Sequence, residues 1–229
     1  MTMQVELLPG LAREVSAPIP QPIHVSREPL AMAYQLIRGS AANEATDGVW
    51  PERLGRFLYD LHLCPPEFVG MRARGLEALR IERRAELDTF RDRVFPLLEP
   101  GERERFGSRF DRFVDDDANW RFAPCLTHGD LGPEHVLVTP AGDLAGVIDW
   151  EEADIGDPVR DFAYVLHAMP GAGERVLVTY GGSPDPGFRD RGRFTFLLMP
   201  WLEVVHGLDT DEDGFVLSGL EGIRARADV

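Results

Sequence analysis

Hydrophobic and polar positions near the start of the chain predict a short helix and two strands. Residues 3–14 place apolar side chains at roughly helical spacing, which indicates a helix or a helix end. Residues 17–22 hold three prolines in six positions, which forbids a regular helix and predicts a turn. Residues 22–26 and 31–37 have the apolar character of short strands. The small and polar residues 38–48 that follow predict a linker.

From residue 49 the hydrophobic pattern changes to the period of amphipathic helices. Apolar positions between Val49 and Leu63 recur at helical spacing, up to a break at Cys64-Pro65-Pro66. Residues 71–95 are rich in Arg, Glu and Leu and predict a long helix, and residues 99–114 predict another.

Around residues 126–150 the pattern becomes extended. The apolar runs 136–138 and 144–149 flank a turn that contains Gly142, which predicts a β-hairpin. Further helices are predicted at residues 158–168, 171–181 and 188–207, and the stretch 215–226 is helical or irregular. The chain is therefore predicted to be an α+β protein with a small strand region before a mainly helical body.

The composition is that of a globular protein with 44% hydrophobic and 28% charged residues. The formal net charge is −15, and phosphate contacts need clustered basic residues, so binding to nucleic acid or to an anionic membrane is not expected. All 24 basic residues are arginines. The absence of lysine excludes a Schiff base, a Walker A lysine and a phosphate-gripping kinase lysine within this chain.

Cysteine usage and the N-terminal sequence bear on the compartment. The two cysteines, Cys64 and Cys125, form no Cys-x-x-Cys pair, so neither a disulfide framework nor a structural zinc site is expected. No signal peptide is visible, and no apolar run reaches the length of about 18 residues that a membrane span requires. We therefore expect a cytoplasmic protein.

The densest cluster of chemically capable residues lies in LTHGDLGPEHVLV, residues 126–138, and VIDWEEADIGDPVRDFA, residues 147–163. Asp130 sits in a glycine-containing loop, and Asp149 ends an apolar run. Carboxylates in a loop and at a neighbouring strand end can converge across a hairpin, which suits one base and one or two hard cations such as Mg²⁺. Alternatively, both aspartates only cap turns.

These residues carry a family resemblance. The run His128-Gly129-Asp130-Leu131, the polar residue five positions after Asp130, the hairpin and Ile148-Asp149-Trp150 resemble the core of the aminoglycoside phosphotransferase family. Residues 156–163 resemble the helix that follows in that family, and residues 54–65 its first C-lobe helix. The resemblance implies a protein-kinase-like α+β fold. Residues 1–43 would form a truncated N-lobe of one helix end and about two strands with the hinge, and residues 44–229 a mainly helical C-lobe with a catalytic β-hairpin.

The resemblance also implies roles for individual residues. Asp130 matches the aspartate that orients the acceptor hydroxyl and takes its proton. Asp149 matches the aspartate that holds Mg²⁺ on the nucleotide phosphates. His128 belongs to the same catalytic loop, where we expect a structural role. Asp161 matches a carboxylate that braces this loop from the next helix.

Two departures from the family pattern affect the expected activity. His135 stands where the family usually has the asparagine that is the second metal ligand, so it either contacts the metal, binds a phosphate or only packs. The chain also contains neither a Gly-rich phosphate loop nor the strand lysine, and Glu6 could be the glutamate that normally pairs with that lysine. A late start of the sequence, gene decay or a working variant would each explain this, and we expect weak or absent activity from the chain alone.

Two acidic segments remain to be interpreted. Glu151, Glu152 and Asp154 follow the metal aspartate, where acidic residues of the family help to bind cationic aminoglycosides, although solvated acids on a loop are the simpler interpretation. Residues 209–214 read Asp-Thr-Asp-Glu-Asp-Gly, like the start of an EF-hand calcium loop. Position 12 of such a loop is Leu220 instead of glutamate, which favours an acidic surface turn.

Three hypotheses follow from the sequence. The first is an enzyme that moves the γ-phosphoryl group of ATP or GTP, with Mg²⁺, to a hydroxyl of a small molecule, for which a cationic aminoglycoside is the model. The second is a kinase-like remnant or pseudoenzyme that only binds a ligand or partner. The third is a metal-dependent hydrolase built on His128, Asp130, His135 and Asp149. The sequence leaves the acceptor, the choice between ATP and GTP, and the oligomeric state open.

Overall fold

The computed structural model describes residues 2–28, 30–182 and 184–228. Its helices are α1 (Thr2–Leu11), α2 (Trp50–Leu63), α3 (Leu76–Arg93), α4 (Pro100–Asp115), α5 (Ala163–Ala168), α6 (Pro170–Thr179), α7 (Phe188–Thr210) and α8 (Asp213–Ala225). Its strands are β1 (Pro22–Arg27), β2 (Leu30–Tyr34), β3 (Ser40–Ala41), β4 (Cys125–Thr127), β5 (Val136–Val138), β6 (Leu144–Val147) and β7 (Asp154–Gly156). The α+β class predicted from the sequence is confirmed.

The chain divides into two compact units. One combines the part up to Arg74 with Ala123–Pro184, and the other combines Gly75–Phe122 with the part from Asp185 onward. All strands and all residues of the predicted site lie in the first unit. The predicted boundary at residue 43, between an N-lobe remnant and a C-lobe, lies within the first of these units, and it stays a prediction.

The first unit begins with the helix and two strands that the sequence predicts. β1 and β2 pair antiparallel, with Val25 opposite Met32, and form a sheet of two strands. The second strand ends at Tyr34, earlier than expected, and residues 35–39 continue as irregular chain. Within the predicted linker, the short strand β3 pairs with β5, so that segment is more ordered than its polar composition indicates.

Helix α2 confirms the prediction from apolar spacing. Leu54, Phe57, Leu58 and Leu61 are buried at positions i, i+3, i+4 and i+7, which is the core-facing stripe of an amphipathic helix. The helix ends at Leu63, because Cys64 precedes a proline and adopts an extended backbone, as such a residue prefers.

Two small sheets position the predicted site. The hairpin of β5 and β6 is confirmed, with Val136 opposite Val147, and β3 adds a third strand to it. β4 pairs antiparallel with β7, with Leu126 opposite Ile155, a pairing that the sequence did not predict. This second sheet brings the segment before His128 alongside the segment after Trp150.

The second unit is a helical cluster around aromatic side chains. Trp201 of α7 is fully buried, and its ring centroid lies 5.6 Å from Phe90, 5.0 Å from Phe106 and 5.1 Å from Phe110. These contacts join α3, α4 and α7 into one core.

Some boundaries in the helical parts differ from the prediction. Residues 71–75 lie outside α3, and residues 158–161 form a 3₁₀ turn before α5. α8 shows that the last stretch is helical. The acidic run at 209–214 spans the end of α7 and the start of α8, so it forms a turn between two helices. Among the described residues, no helix combines the length and the apolar character needed to cross a membrane.

Candidate active site

The loop after β4 is held by one buried carboxylate. Asp161, which is fully buried, accepts hydrogen bonds from the backbone N–H groups of His128 and Gly129, each at 2.9 Å. Gly129 has a φ of +87°, and a Cβ on it would lie 2.1 Å from the backbone oxygen of Glu152, so only glycine fits there. The backbone just before Asp130 is therefore held by the hydrogen bonds to Asp161 and by the close contact between Gly129 and Glu152.

Asp161 keeps its negative charge in this buried position. Burial alone would raise the pKa of its carboxyl group, but the hydrogen bond from His62, at 3.0 Å, and the backbone N–H donors outweigh burial and lower the pKa. These contacts place Asp161 directly behind the loop, and its role in supporting the loop stays a prediction.

The His128 side chain is enclosed by its neighbours, and its structural role stays a prediction. Its ring is buried, and Nε2 donates a hydrogen bond to the backbone oxygen of Ile148 at 2.9 Å. Its ring centroid lies 4.7 Å from that of the buried Trp150. Burial lowers the pKa of His128, so the ring is kept neutral and its Nε2 proton is committed to the main chain.

Asp130 and His135 lie next to each other on the loop. His135 Nδ1 donates to the backbone oxygen of Asp130 at 2.6 Å and lies 3.8 Å from Oδ2 of the Asp130 side chain. The Asp130 side chain is 60% exposed, whereas His135 is only 13% exposed. The carboxylate of Asp130 is thus open to an incoming molecule, and the imidazole is oriented by the main chain beneath it.

Asp149 lies just beyond β6 and faces His135. Its Oδ2 is 3.5 Å from His135 Nε2, and its side chain is 51% exposed. Its φ of +64° is in the left-handed region, which costs a non-glycine residue about 1–3 kcal/mol and is most frequent at functional sites. The unusual backbone turns the carboxylate toward the loop that carries Asp130.

The residues present fit a magnesium ion that takes part of its ligands from outside the protein. Mg²⁺ is usually held by one or two protein carboxylates, with phosphates and water completing its shell. Asp149 supplies such a carboxylate, and His135 Nε2 faces it because Nδ1 is occupied by the Asp130 carbonyl. The described residues contain no group of three or more His, Cys, Asp or Glu able to hold a metal by themselves.

A cavity of about 620 Å³, lined mainly by apolar side chains, opens beside Asp149. Its lining includes Met32 and Ile37, from β2 and the segment that follows it, together with Leu137 and Ile148. Asp149 and Glu151 lie at the polar part of this wall. A cavity of this size, with mainly apolar side chains and two carboxylates, suits part of a small organic ligand.

The three acidic residues expected to bind a cationic substrate do not share one environment. Glu151 lines the cavity, and Glu152 is exposed next to the Gly129 turn. Asp154 forms an ion pair with Arg74, so its charge already has a partner within the chain.

Several contributing residues were not singled out from the sequence. His62 of α2 and Tyr180 after α6 form a hydrogen-bond chain to Asp161, and Arg160 Nη2 donates to the Gly129 backbone oxygen at 3.1 Å. No local pattern marks them. The family resemblance covers residues 156–163 and 54–65, but it assigned no role to Arg160 or to His62.

A loop aspartate, a second aspartate beyond the following hairpin and an adjoining apolar cavity define a protein-kinase-like phosphotransferase fold. The chain belongs to the phosphotransferase enzyme family of the aminoglycoside phosphotransferase type, whose family model matches residues 2–207. The family predicted from residues 126–163 is confirmed.

Curated relatives match parts of the chain. Viomycin phosphotransferase of Streptomyces vinaceus is 35% identical over 143 residues, which are 58% of this chain and 47% of that protein. The uncharacterized protein YcbJ of Bacillus subtilis is 46% identical over 54 residues, which are 24% of this chain and 18% of that protein. The chain spans less than half of the length of these relatives.

Solved structures match nearly all of the chain. The GDP complex of aminoglycoside 2'-phosphotransferase-IIIa has a TM-score of 0.82 at 23% identity, covering 98% of this chain and 80% of that chain. Macrolide 2'-phosphotransferase type I has a TM-score of 0.81 at 21% identity, covering 95% of this chain and 76% of that chain. These likenesses show the kinase-like fold.

Proposed function

We propose that the chain transfers the γ-phosphoryl group of ATP or GTP to a hydroxyl group of a small antibiotic-like molecule. One observation carries this proposal: the carboxylates of Asp130 and Asp149 both lie within 3.8 Å of the His135 ring, beside a cavity lined mainly by apolar side chains. The family membership supports it, as do solved relatives described with GDP and kanamycin and with ATP and streptomycin.

The nucleotide would place its base in the cavity and its phosphates toward Asp149. Met32, Ile37 and Leu137 offer apolar contacts for the base. Asp149 and His135 would hold Mg²⁺, which offsets the negative charge of the phosphates when bound.

Asp130 would act as the base. The acceptor oxygen forms a bond to the γ-phosphorus, the bond from that phosphorus to the bridging oxygen breaks, and the nucleoside diphosphate leaves. The hydroxyl proton passes to the Asp130 carboxylate, which is 60% exposed and held by the braced loop. Glu151 and Glu152 would attract amino groups of a cationic acceptor.

The hydrolase hypothesis fits the geometry poorly. It needs His128 as a metal ligand, but this ring is buried and its Nε2 proton binds the Ile148 carbonyl. A remnant that only binds remains the alternative, because Asp149 and the cavity could hold a nucleotide without turnover.

The decisive experiment combines nucleotide binding with turnover. Calorimetry with Mg·ATP and Mg·GTP, and product detection with aminoglycosides, macrolides and viomycin as acceptors, should be run on the wild type, Asp130→Asn and Asp149→Asn. We expect the Asp130 variant to bind nucleotide and lose about 100-fold or more in turnover, and the Asp149 variant to lose binding. Binding without turnover for any acceptor would support the pseudoenzyme, and no binding at millimolar nucleotide would refute both.

A further inference from the structure

Three side chains form a buried hydrogen-bond chain behind the catalytic loop. The Tyr180 hydroxyl lies 2.8 Å from His62 Nδ1, and His62 Nε2 lies 3.0 Å from Asp161 Oδ2. The His62 side chain is 4% exposed and that of Asp161 fully buried. Members of this chain come from α2, from the end of α6 and from the turn before α5, so it ties three separate parts of the first unit to one carboxylate.

The protonation pattern of this chain has a direction. The ionised Asp161 carboxylate only accepts hydrogen bonds, so His62 Nε2 must carry a proton. The other ring nitrogen, His62 Nδ1, faces the Tyr180 hydroxyl, and a hydroxyl can donate a hydrogen bond or accept one. Burial raises the pKa of Tyr180, which keeps this hydroxyl protonated and able to donate.

We propose that Tyr180 and His62 are positioning residues for phosphoryl transfer, acting through Asp161 on the backbone that carries Asp130. Asp161 Oδ2 accepts from both His62 Nε2 and the His128 N–H, while Oδ1 accepts from the Gly129 N–H. The donor from His62 therefore sets the rotation of the carboxylate, and that rotation sets both backbone contacts. The Tyr180 hydroxyl in turn holds the His62 ring in the orientation that directs Nε2 at Asp161.

The expected effect on catalysis rests on the proposed function. The expected effect on the structure of the loop rests on the hydrogen bonds alone. Neither residue touches the cavity beside Asp149. Loss of the Tyr180 hydroxyl or of the His62 imidazole should therefore lower kcat and leave the nucleotide KM unchanged. A general weakening of the fold would instead change both kcat and the nucleotide KM, and it would also affect segments far from the loop that carries Asp130.

Tyr180→Phe removes only the hydroxyl and keeps the ring that packs on Phe162, with centroids 4.9 Å apart. We expect kcat to fall about 5-fold, as for loss of one ordinary hydrogen bond, with an unchanged nucleotide KM. The matched control is Tyr59→Phe, since the Tyr59 ring lies 6.1 Å from Tyr180 and its hydroxyl is outside the chain of hydrogen bonds. His62→Leu should cost about 10-fold or more, and His62→Gln, which keeps a donor for Asp161, should recover part of that loss.

Hydrogen exchange of the full chain, read by mass spectrometry, gives a measurement that needs no turnover. Tyr180→Phe should speed exchange in the segment containing His128 and Gly129, with α8 of the other unit as an internal reference. Unchanged kcat and exchange, or equally faster exchange in α8, would overturn the proposal. An inactive wild type would refute the proposed function alone, and loop exchange in the two tyrosine variants would still decide between a positioning chain and simple packing.

Discussion

His135 Nε2 and Asp149 Oδ2 face each other at a distance of 3.5 Å, while Nδ1 of the same imidazole is 2.6 Å from the Asp130 backbone oxygen. With Nδ1 donating to that carbonyl, Nε2 is the ring nitrogen that faces the Asp149 carboxylate. The pair therefore links the end of the hairpin to the loop that carries Asp130.

The role of His135 is testable by substitution. His135→Ala should weaken Mg·nucleotide binding by about 10-fold, because one of two protein ligands is lost, whereas His135→Asn should retain most of the affinity with an amide oxygen as ligand. Calorimetry with each variant, alongside thermal melts to confirm folding, measures this. Wild-type affinity in the alanine variant would mean that His135 only packs.

The cavity next to Asp149 should accept the nucleobase. Leu137→Trp places a large ring into the space of about 620 Å³, and we expect nucleotide affinity to fall about 10-fold or more with little change in stability. Leu63→Trp is the control, because Leu63 is 62% exposed and lies outside the cavity wall. Equal nucleotide affinity for both variants would show that the base binds elsewhere.

Gly129 should be intolerant of any side chain. Its positive φ costs a non-glycine residue about 1–3 kcal/mol, and a Cβ would also collide with the Glu152 backbone oxygen. Gly129→Ala is expected to lower the free energy of unfolding by more than that strain alone. Gly70→Ala is the comparison, since Gly70 has a φ of +72° but no atom within 4 Å of a Cβ. Urea unfolding of both variants would show whether the close approach adds to the strain, and equal losses would contradict it.

His128 should make stability depend on pH below neutrality. Burial lowers the pKa of the folded His128 below its ordinary value of 6.5, so the unfolded chain binds the proton more readily. The stabilisation is therefore complete above pH 6.5 and is lost as the pH falls toward the folded pKa, by at most about 1.4 kcal/mol per pH unit for one group. Urea unfolding between pH 7.5 and 5 should show a shallower loss for His128→Asn, which keeps a donor for Ile148 but does not titrate. Parallel profiles would exclude the effect.

Much of the fold could be read from local signals. The stripe Leu54, Phe57, Leu58 and Leu61 and the proline pair after Cys64 define α2 within one residue of its observed bounds, because helix periodicity and helix termination act over a few neighbouring positions. The same holds for the hairpin and for the segment from His128 to Asp149, whose residue types and spacing identify the family.

Other features depend on contacts between distant parts of the chain. The pairing of β4 with β7 involves strands of three residues each, too short for a periodic pattern. The backbone turn at Asp149 is likewise held by its surroundings, because an isolated aspartate does not favour a φ of +64°.

The sequence by itself determined the helical segments, the hairpin, the family and the loop that carries Asp130. The tertiary structure decided what holds that loop in place. His62 and Asp161 are 99 positions apart, and His62 and Tyr180 are 118 apart, so no local spacing connects them. Such contacts form only when the whole unit buries its apolar side chains, since the burial that excludes water also makes each polar group find a partner within the protein.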